Sequence, residues 1–277
     1  MEAAVVEKVV ILARGLGKRM RKADGIDLGP DAERMAQHGL KGLIPIGGRP
    51  FLDWVVGSLL KVGLRRMCLV IAPDADVLRR YARDTSELTQ AEIACAVQRE
   101  PLGTADAVLS AADFVGTDSF IMCNCDNLYP EDALRALTCA EETSCCVAAF
   151  DSEEMLRSSN FPPERVRAFA VVLSTPDGRL KDIIEKPMEP ERYAQGGRLW
   201  VNMNLYRFTP DIFDACRRIE PHPERKELEL TAAVALVAKE GRVPFRVMQS
   251  RGGVLDLTSR GDVAAVERLL AGRTPGF

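Results

Sequence analysis

The residues best placed to do chemistry lie where apolar runs end. The first such run, Lys8-Val9-Val10-Ile11-Leu12-Ala13, gives way to Arg14-Gly15-Leu16-Gly17-Lys18-Arg19-Met20. Glycines let a backbone pass close to a ligand, and amides exposed beyond a strand end can cradle phosphates. Two cations, Lys18 and Arg19, follow directly. The dinucleotide pattern G-x-G-x-x-G fails at its third position, Met20, and no acidic residue follows a second strand at the required distance. The Walker pattern fails because glycines and lysine are mis-spaced. Taken alone, the segment reads as an ordinary strand-to-loop turn with solvated charges. Three further segments share its placement. Lys41-Gly42-Leu43-Ile44-Pro45-Ile46-Gly47-Gly48-Arg49-Pro50 sets a lysine before an apolar stretch and a helix start. Gln98-Arg99-Glu100-Pro101-Leu102-Gly103-Thr104-Ala105 follows one strand and opens a helix, and Asn124-Cys125-Asp126 follows another strand.

The elements that must hold these segments are legible from periodicity. Apolar runs of strand length alternate with segments of helical period, the signature of an α/β sheet with covering helices. Strands are expected at 8–13, 67–72, 92–98, 120–123 and 144–150. Helices are expected at 51–60, with Pro50 at the first turn and Gly63 at the end, and then to Tyr81 from a cap at Asp74. Further helices fall at 104–112 and 131–140. After Asp151 the strands near 166–173, 180–185 and 200–208 crowd together, with a turn signal at Pro176-Asp177-Gly178, and predict a mixed or antiparallel sheet. Helices near 210–218 and 228–239, a strand at 243–249 and a helix at 259–270 complete the pattern. The most irregular stretch, 21–40, reads either as a mobile flap or as a surface insertion.

Composition narrows the function classes. The 277 residues carry 37 basic and 40 acidic side chains, a formal charge of −3, which argues against a general nucleic-acid binder. Any phosphate binding must then come from a few placed cations and backbone amides. No apolar stretch approaches the roughly 20 residues of a membrane span, and the acidic N-terminus is unlike a secretory signal. The eight cysteines lie mostly in apolar runs without the paired spacing of zinc sites, so reduced core thiols and a cytoplasmic chain are expected. No internal repeat or hexapeptide run suggests an added β-helical domain.

The four segments, in their order, resemble the sugar-1-phosphate nucleotidyltransferases (NDP-sugar pyrophosphorylases). The patterns of that family, G-x-G-T-R-[LM], K-P-[LM]-x-P-[IV], P-L-G-T-A, G-D and E-K-P, stand here as Gly15 to Met20, Lys41 to Ile46, Pro101 to Ala105, Cys125-Asp126 and Glu185-Lys186-Pro187. Trp200 to Phe208 resembles its N-x-G-x-Y-x-F strand, Glu227 to Thr231 its E-x-x-L-T helix start, and Asp256 to Asp262 its D-x-G-T-P-x-D segment. The resemblance extends to about Leu270 and implies a Rossmann-like mixed α/β sheet flanked by helices in one domain. Residues 1–150 would be its nucleotide-binding half and 151–277 its sugar-phosphate-binding half.

In the implied reaction a sugar 1-phosphate oxygen attacks the α-phosphorus of a nucleoside triphosphate and pyrophosphate leaves. Both reactants are anionic, so catalysis is mainly positioning and charge neutralisation. The resemblance gives Arg19 the pyrophosphate portion and Lys41 the α-phosphate or the attacking phosphate. Leu12, Ala13, Gly15, Gly17 and Lys18 would line the nucleotide site. Gln98, Pro101, Leu102, Gly103 and Thr104 would meet the base. Asn124, Glu185, Lys186 and Asn202 would bind the acceptor, and Asp126 and Asp256 would hold Mg2+, which favours one or two carboxylates plus phosphate oxygens and water.

Several positions depart from the pattern. Arg14 and Lys18 make the glycine turn more cationic, and Cys125, Asn204 and Thr258 each replace a glycine. Arg19 and Lys41 are 22 residues apart, a longer separation than is common in the family. These departures leave open a non-sugar acceptor, such as an amino-alcohol or cyclitol phosphate, and a non-catalytic sugar-nucleotide-binding regulator. A glycosyltransferase would show D-x-D, which Asp126-Asn127-Leu128 is not. The partners implied are small molecules, not nucleic acid or membrane; a homo-oligomer stays open.

Overall fold

The computed structural model describes residues 6–22, 25–140 and 143–277. The chain begins with β1 (Lys8–Leu12), α1 (Lys18–Arg21) and α2 (Pro30–Gln37), then a 3₁₀ turn at Lys41–Leu43 and the short strands β2 (Pro45–Ile46) and β3 (Arg49–Pro50). Next come α3 (Phe51–Lys61), β4 (Arg66–Ile71), α4 (Asp76–Thr89), β5 (Glu92–Val97), α5 (Thr104–Leu109) and α6 (Ala112–Val115). They lead into β6 (Phe120–Asn124), β7 (Asn127–Leu128), α7 (Glu131–Thr138) and β8 (Cys145–Asp151). The remainder comprises α8 (Ser152–Ser158), α9 (Pro163–Arg167), β9 (Val171–Ser174), β10 (Leu180–Ile184) and β11 (Trp200–Phe208). It closes with α10 (Asp211–Arg218), α11 (Leu230–Glu240), β12 (Phe245–Ser250), β13 (Leu255–Asp256) and α12 (Arg260–Leu270).

Nine strands form one sheet in the order β10-β9-β11-β6-β1-β4-β5, with β8 pairing β11 and β12 beside this path. β1 runs parallel to β4 and β6, and β4 parallel to β5. β11 is antiparallel to β6 and β8. Alternate residues of the parallel strands enter separate cores, Val9, Met67 and Ile121 on one face and Val10, Cys68 and Met122 on the other. This two-sided burial is why the strands read as unbroken apolar runs. The chain steps outward from β1 to β4 and β5 and then returns to β6 on the opposite side of β1. Such a reversal leaves a crevice beyond the carboxyl ends of the strands, where ligands of open α/β sheets bind.

The structure corrects several expected elements. Residue 166 lies in α9, not a strand: Pro163 starts that helix, and β9 begins only at Val171. Asp74 does not cap α4, whose N-cap is Ala75, and the helix continues past Tyr81 to Thr89. Pro50 caps α3 from outside, with extended backbone angles. The 21–40 stretch contains a regular helix, α2, with proline at its first turn and Asp31 and Glu33 among its early residues. Five cysteines are buried, Cys95 and Cys125 half-buried and Cys139 exposed. Among the described residues no helix is long and apolar enough to cross a membrane.

Candidate active site

A cavity of about 450 Å³ opens beyond the carboxyl ends of β1, β5 and β6. Leu12, Ala13, Gly15, Gly17, Lys18 and Arg19 form one wall. Gly17 adopts φ 59°, and a Cβ there would stand 2.6 Å from the Gly39 Cα, so the turn requires glycine for its conformation and for its close approach to a neighbouring backbone. Lys18 and Arg19 follow, both exposed, and give this wall its positive charge.

Lys41 and Asp126 face each other across the cavity floor. The Lys41 ammonium donates to Asp126 Oδ2 at 2.7 Å, with side chains 17% and 18% exposed. Burial opposes the Lys41 charge, but Asp126 overcomes it by Coulomb attraction and hydrogen bonding, aided by Asp256, and the net effect holds Lys41 above its ordinary value. Neighbouring Cys125, where the resemblance puts glycine, has a thiol pushed up to about 12 by burial and by the Asp126 charge. It is therefore a poor nucleophile.

Asp256 reaches the same region through a two-rung ribbon in which β13 pairs antiparallel with β7, Asp256 opposite Asn127. The Leu257 N–H donates to the Asp126 carbonyl at 3.0 Å. The Asp126 turn and the end of β13 thus adjoin, and the Asp126 charge acts on Asp256. Burial, then the Asp126 charge, pushes the Asp256 carboxyl above its ordinary value, against Arg165, Thr258 and Lys41. In kind, these hard oxygen donors suit a magnesium ion. Asp126 fits that role, since it lines the cavity and Lys41 engages only its Oδ2. Asp256 does not line the cavity, and both its oxygens already accept hydrogen bonds, Oδ1 from Arg165 at 2.7 Å and Oδ2 from Asn127 at 2.8 Å.

Gln98, Pro101, Gly103 and Thr104 line the opposite wall, whereas Leu102 does not. Gln98 is 3% exposed, and its amide nitrogen donates to the Gly103 carbonyl at 3.0 Å and to Asp106 at 2.8 Å. Both partners are acceptors, which fixes the amide orientation and leaves the carbonyl oxygen as the atom Gln98 can offer a ligand. Gly103, at φ 121°, passes so close to Leu228 that a Cβ would lie 2.4 Å from its carbonyl oxygen. Leu228 also donates to the Leu102 carbonyl at 2.6 Å and accepts from Ala105 at 2.9 Å, so the segment before α11 clamps this turn.

Asn124 lines the cavity and donates to Asn127 at 3.0 Å. The other acceptor-site residues do not line it. Glu185 and Lys186 are exposed beyond β10, Lys186 with φ 44°. Asn202 is 7% exposed and donates to the Tyr206 hydroxyl at 2.7 Å while accepting the Asn204 N–H at 2.9 Å. It holds the irregularity in β11, where Asn204 takes φ 55°. Sequence reasoning missed Arg165, Asn127 and Asn160 around Asp256, and named Glu227 only in a helix-start pattern although it stands on the cavity wall. Arg14, noted only as a departure, donates to the Gln98 and Arg99 carbonyls at 2.8 and 3.1 Å and ties the first loop to the third.

A mixed, mostly parallel sheet with this crevice is the fold of nucleotidyltransferases. The chain belongs to the Nucleotidyl transferase family, whose model matches residues 8–253. A low-salt glycan biosynthesis nucleotidyltransferase of Haloferax volcanii is 28% identical over 235 residues, 84% of this chain and 58% of that protein. A UTP–glucose-1-phosphate uridylyltransferase of the same organism is 26% identical, covering 85% of each chain. A glucose-1-phosphate thymidylyltransferase of Streptomyces griseus is 28% identical over 85% of this chain and 58% of its own length. Among solved structures, the inositol-1-phosphate CTP transferase from T. maritima matches with TM-score 0.70 and 15% identity over 98% of this chain and 99% of that one. A UDP-glucose pyrophosphorylase complexed with UDP-glucose matches with TM-score 0.71 and 19% identity over 95% and 97%.

Proposed function

We propose that this nucleotidyltransferase moves a nucleotidyl group from a nucleoside triphosphate to a sugar 1-phosphate, giving an NDP-sugar and pyrophosphate. An acceptor phosphate oxygen forms a new bond to the α-phosphorus, and the bond from that phosphorus to the oxygen bridging to the β-phosphorus breaks. The observation that carries this reading is the Lys41–Asp126 pair, set in the same cavity as the glycine turn and its two cations. Lys18 and Arg19 receive the pyrophosphate portion and offset the charge developing on it. Lys41, kept cationic by Asp126, draws the α-phosphate to the floor. Gln98 and the Gly103 turn hold the base. Asp126 would hold Mg2+; bound there, the ion neutralises phosphate charge. Asp256, whose oxygens are taken by Arg165 and Asn127, would support the Asp126 loop rather than bind the ion. Asn124, on the cavity lining, meets the acceptor; Glu185 and Lys186 would reach it only by moving toward the cavity, and Asn202 serves the β11 bend instead.

One observation favours a second acceptor class, an amino-alcohol or cyclitol phosphate. Asn204, where the resemblance puts glycine, takes the left-handed conformation that glycine favours and adds an exposed amide beside Asn202. Pyrophosphate release should be screened with ATP, CTP, GTP, UTP and dTTP against sugar 1-phosphates, inositol phosphate and phosphocholine. Release with one sugar 1-phosphate supports the first reading and release with inositol phosphate or phosphocholine the second. Silence in every pair refutes both and leaves a binding protein.

A further inference from the structure

The helix inserted between Arg19 and Lys41 is pinned at one point that neither the family resemblance nor the proposed chemistry explains. Arg260, the first residue of α12, stands where the D-x-G-T-P-x-D pattern has proline, and its side chain is 4% exposed. Its guanidinium engages both carboxylate oxygens of Glu33 in α2, Nη2 to Oε1 at 2.8 Å and Nη1 to Oε2. The same group donates from Nε to the Met20 carbonyl at 3.2 Å and from Nη1 to the Ile26 carbonyl at 3.3 Å. Met20 is fully buried and follows Arg19 directly. One side chain therefore ties the C-terminal segment, the inserted helix and the end of the glycine turn together.

The far end of the insert is equally constrained. Arg21 donates to the His38 carbonyl at 2.9 Å, and a Cβ on Gly39 would stand 2.7 Å from the Leu16 carbonyl oxygen. Leu40 donates its N–H to Met35 at 2.9 Å, and Lys41 is the next residue. The insert thus bridges the wall that carries Arg19 and the floor that carries Lys41. Its described residues are held near both ends, as a brace would be.

We propose that Glu33 and Arg260 are positioning residues, a brace that fixes the spacing of the Arg19 loop and Lys41 and so sets affinity for the triphosphate tail. The affinity claim rests on the proposed function; the mechanical claim does not. A planar fork on a carboxylate is geometrically strict, and a buried guanidinium deprived of its carboxylate repels its own setting. Hydrogen bonds weaken steeply as their distance and angle depart from the ideal, so a displaced phosphate-binding group loses affinity.

Two measurements on the full chain separate the claims. Hydrogen exchange of the ligand-free protein compares wild type with Glu33→Gln. Coupled loosening of 17–22 and 38–43 along with 30–37 supports the brace, and a change confined to 30–37 overturns it. Calorimetry with inorganic tripolyphosphate in Mg2+ then compares wild type, Glu33→Gln, Arg260→Met and Arg260→Lys. Expected is a loss of about tenfold in affinity for the first two variants and an intermediate value for the lysine, with a matching rise in triphosphate KM and kcat within about twofold. Equal affinities with a lowered Tm would make the pair merely structural and refute the affinity claim. Coupled exchange together with silence in the pyrophosphate-release screen would refute the proposed function while upholding the brace.

Discussion

Asp126→Asn is the sharpest test of the candidate site because it removes charge and almost no volume. In the wild type the Lys41 ammonium sits 2.7 Å from Asp126, both side chains less than one-fifth exposed. Breaking a fully buried pair costs about 3–5 kcal/mol; here partial exposure, and an asparagine carbonyl that still accepts from Lys41, lower the cost to about 1–2 kcal/mol. Against a typical stability of about 5–15 kcal/mol the variant stays folded at 25 °C, and its Tm falls by about 2–8 °C. The catalytic loss should be larger. Removing one preorganised charge from such a site costs about 10²–10³-fold in kcat, or about 2.7–4 kcal/mol. The assay is the initial rate of pyrophosphate release at saturating Mg2+, with a thermal melt on the same preparation. A rate within about fivefold of wild type would refute the role assigned to Asp126. A rate loss matched by an equal loss of folded protein would refute it too.

Three other perturbations follow from the geometry. Gly17→Ala forces a side chain into the left-handed region, costing about 1–2 kcal/mol, and against the Gly39 backbone at 2.6 Å; triphosphate KM should rise about tenfold or more, and an unchanged KM would show that the turn does not touch phosphate. Gly103→Ala meets the Leu228 carbonyl at 2.4 Å and should lower stability by more than about 2 kcal/mol in urea melts. Glu33 is held below its ordinary 4.5 by hydrogen bonds from Arg260 and then Gln37. A lowered carboxyl stabilises the fold above its unfolded pKa and loses that contribution as pH falls through the folded value. Wild-type Tm should therefore fall as pH drops below about 4.5, and Glu33→Gln should show a shallower fall over the same window.

The strands around the crevice were readable because they are buried on both faces. The expected strand at 200–208 coincides with β11, and the glycine turn, Gln98 and Asn124 all stand at strand ends as expected. The helix expected at 259–270 stands as α12, and a capping box of Ser259 and Asp262 that was not foreseen starts it. Long-range pairs were not readable. Arg260 and Glu33 are 227 residues apart, Arg165 and Asp256 are 91 apart, and no local pattern marks either pair. The acceptor side was the least legible part. Asn202 matched a pattern, yet its polar atoms serve the bend in its own strand, which only three-dimensional packing reveals.

The β7–β13 ribbon has only two rungs, yet together with Asn160, which bonds both backbone polar groups of Asp256, it decides which way that acid faces. Side chains alternate along a strand, so a one-residue slip would turn Leu255 or Leu257 toward Asn127 and send the acid to the other side. Inserting or deleting a residue between β12 and β13 thus risks far more than a longer loop. Divergence of this chain is accordingly expected to keep the length of the 251–254 link, and also Gly252 and Gly253, where a Cβ would stand 2.5 Å from Pro130 and 2.3 Å from the Ser158 carbonyl oxygen.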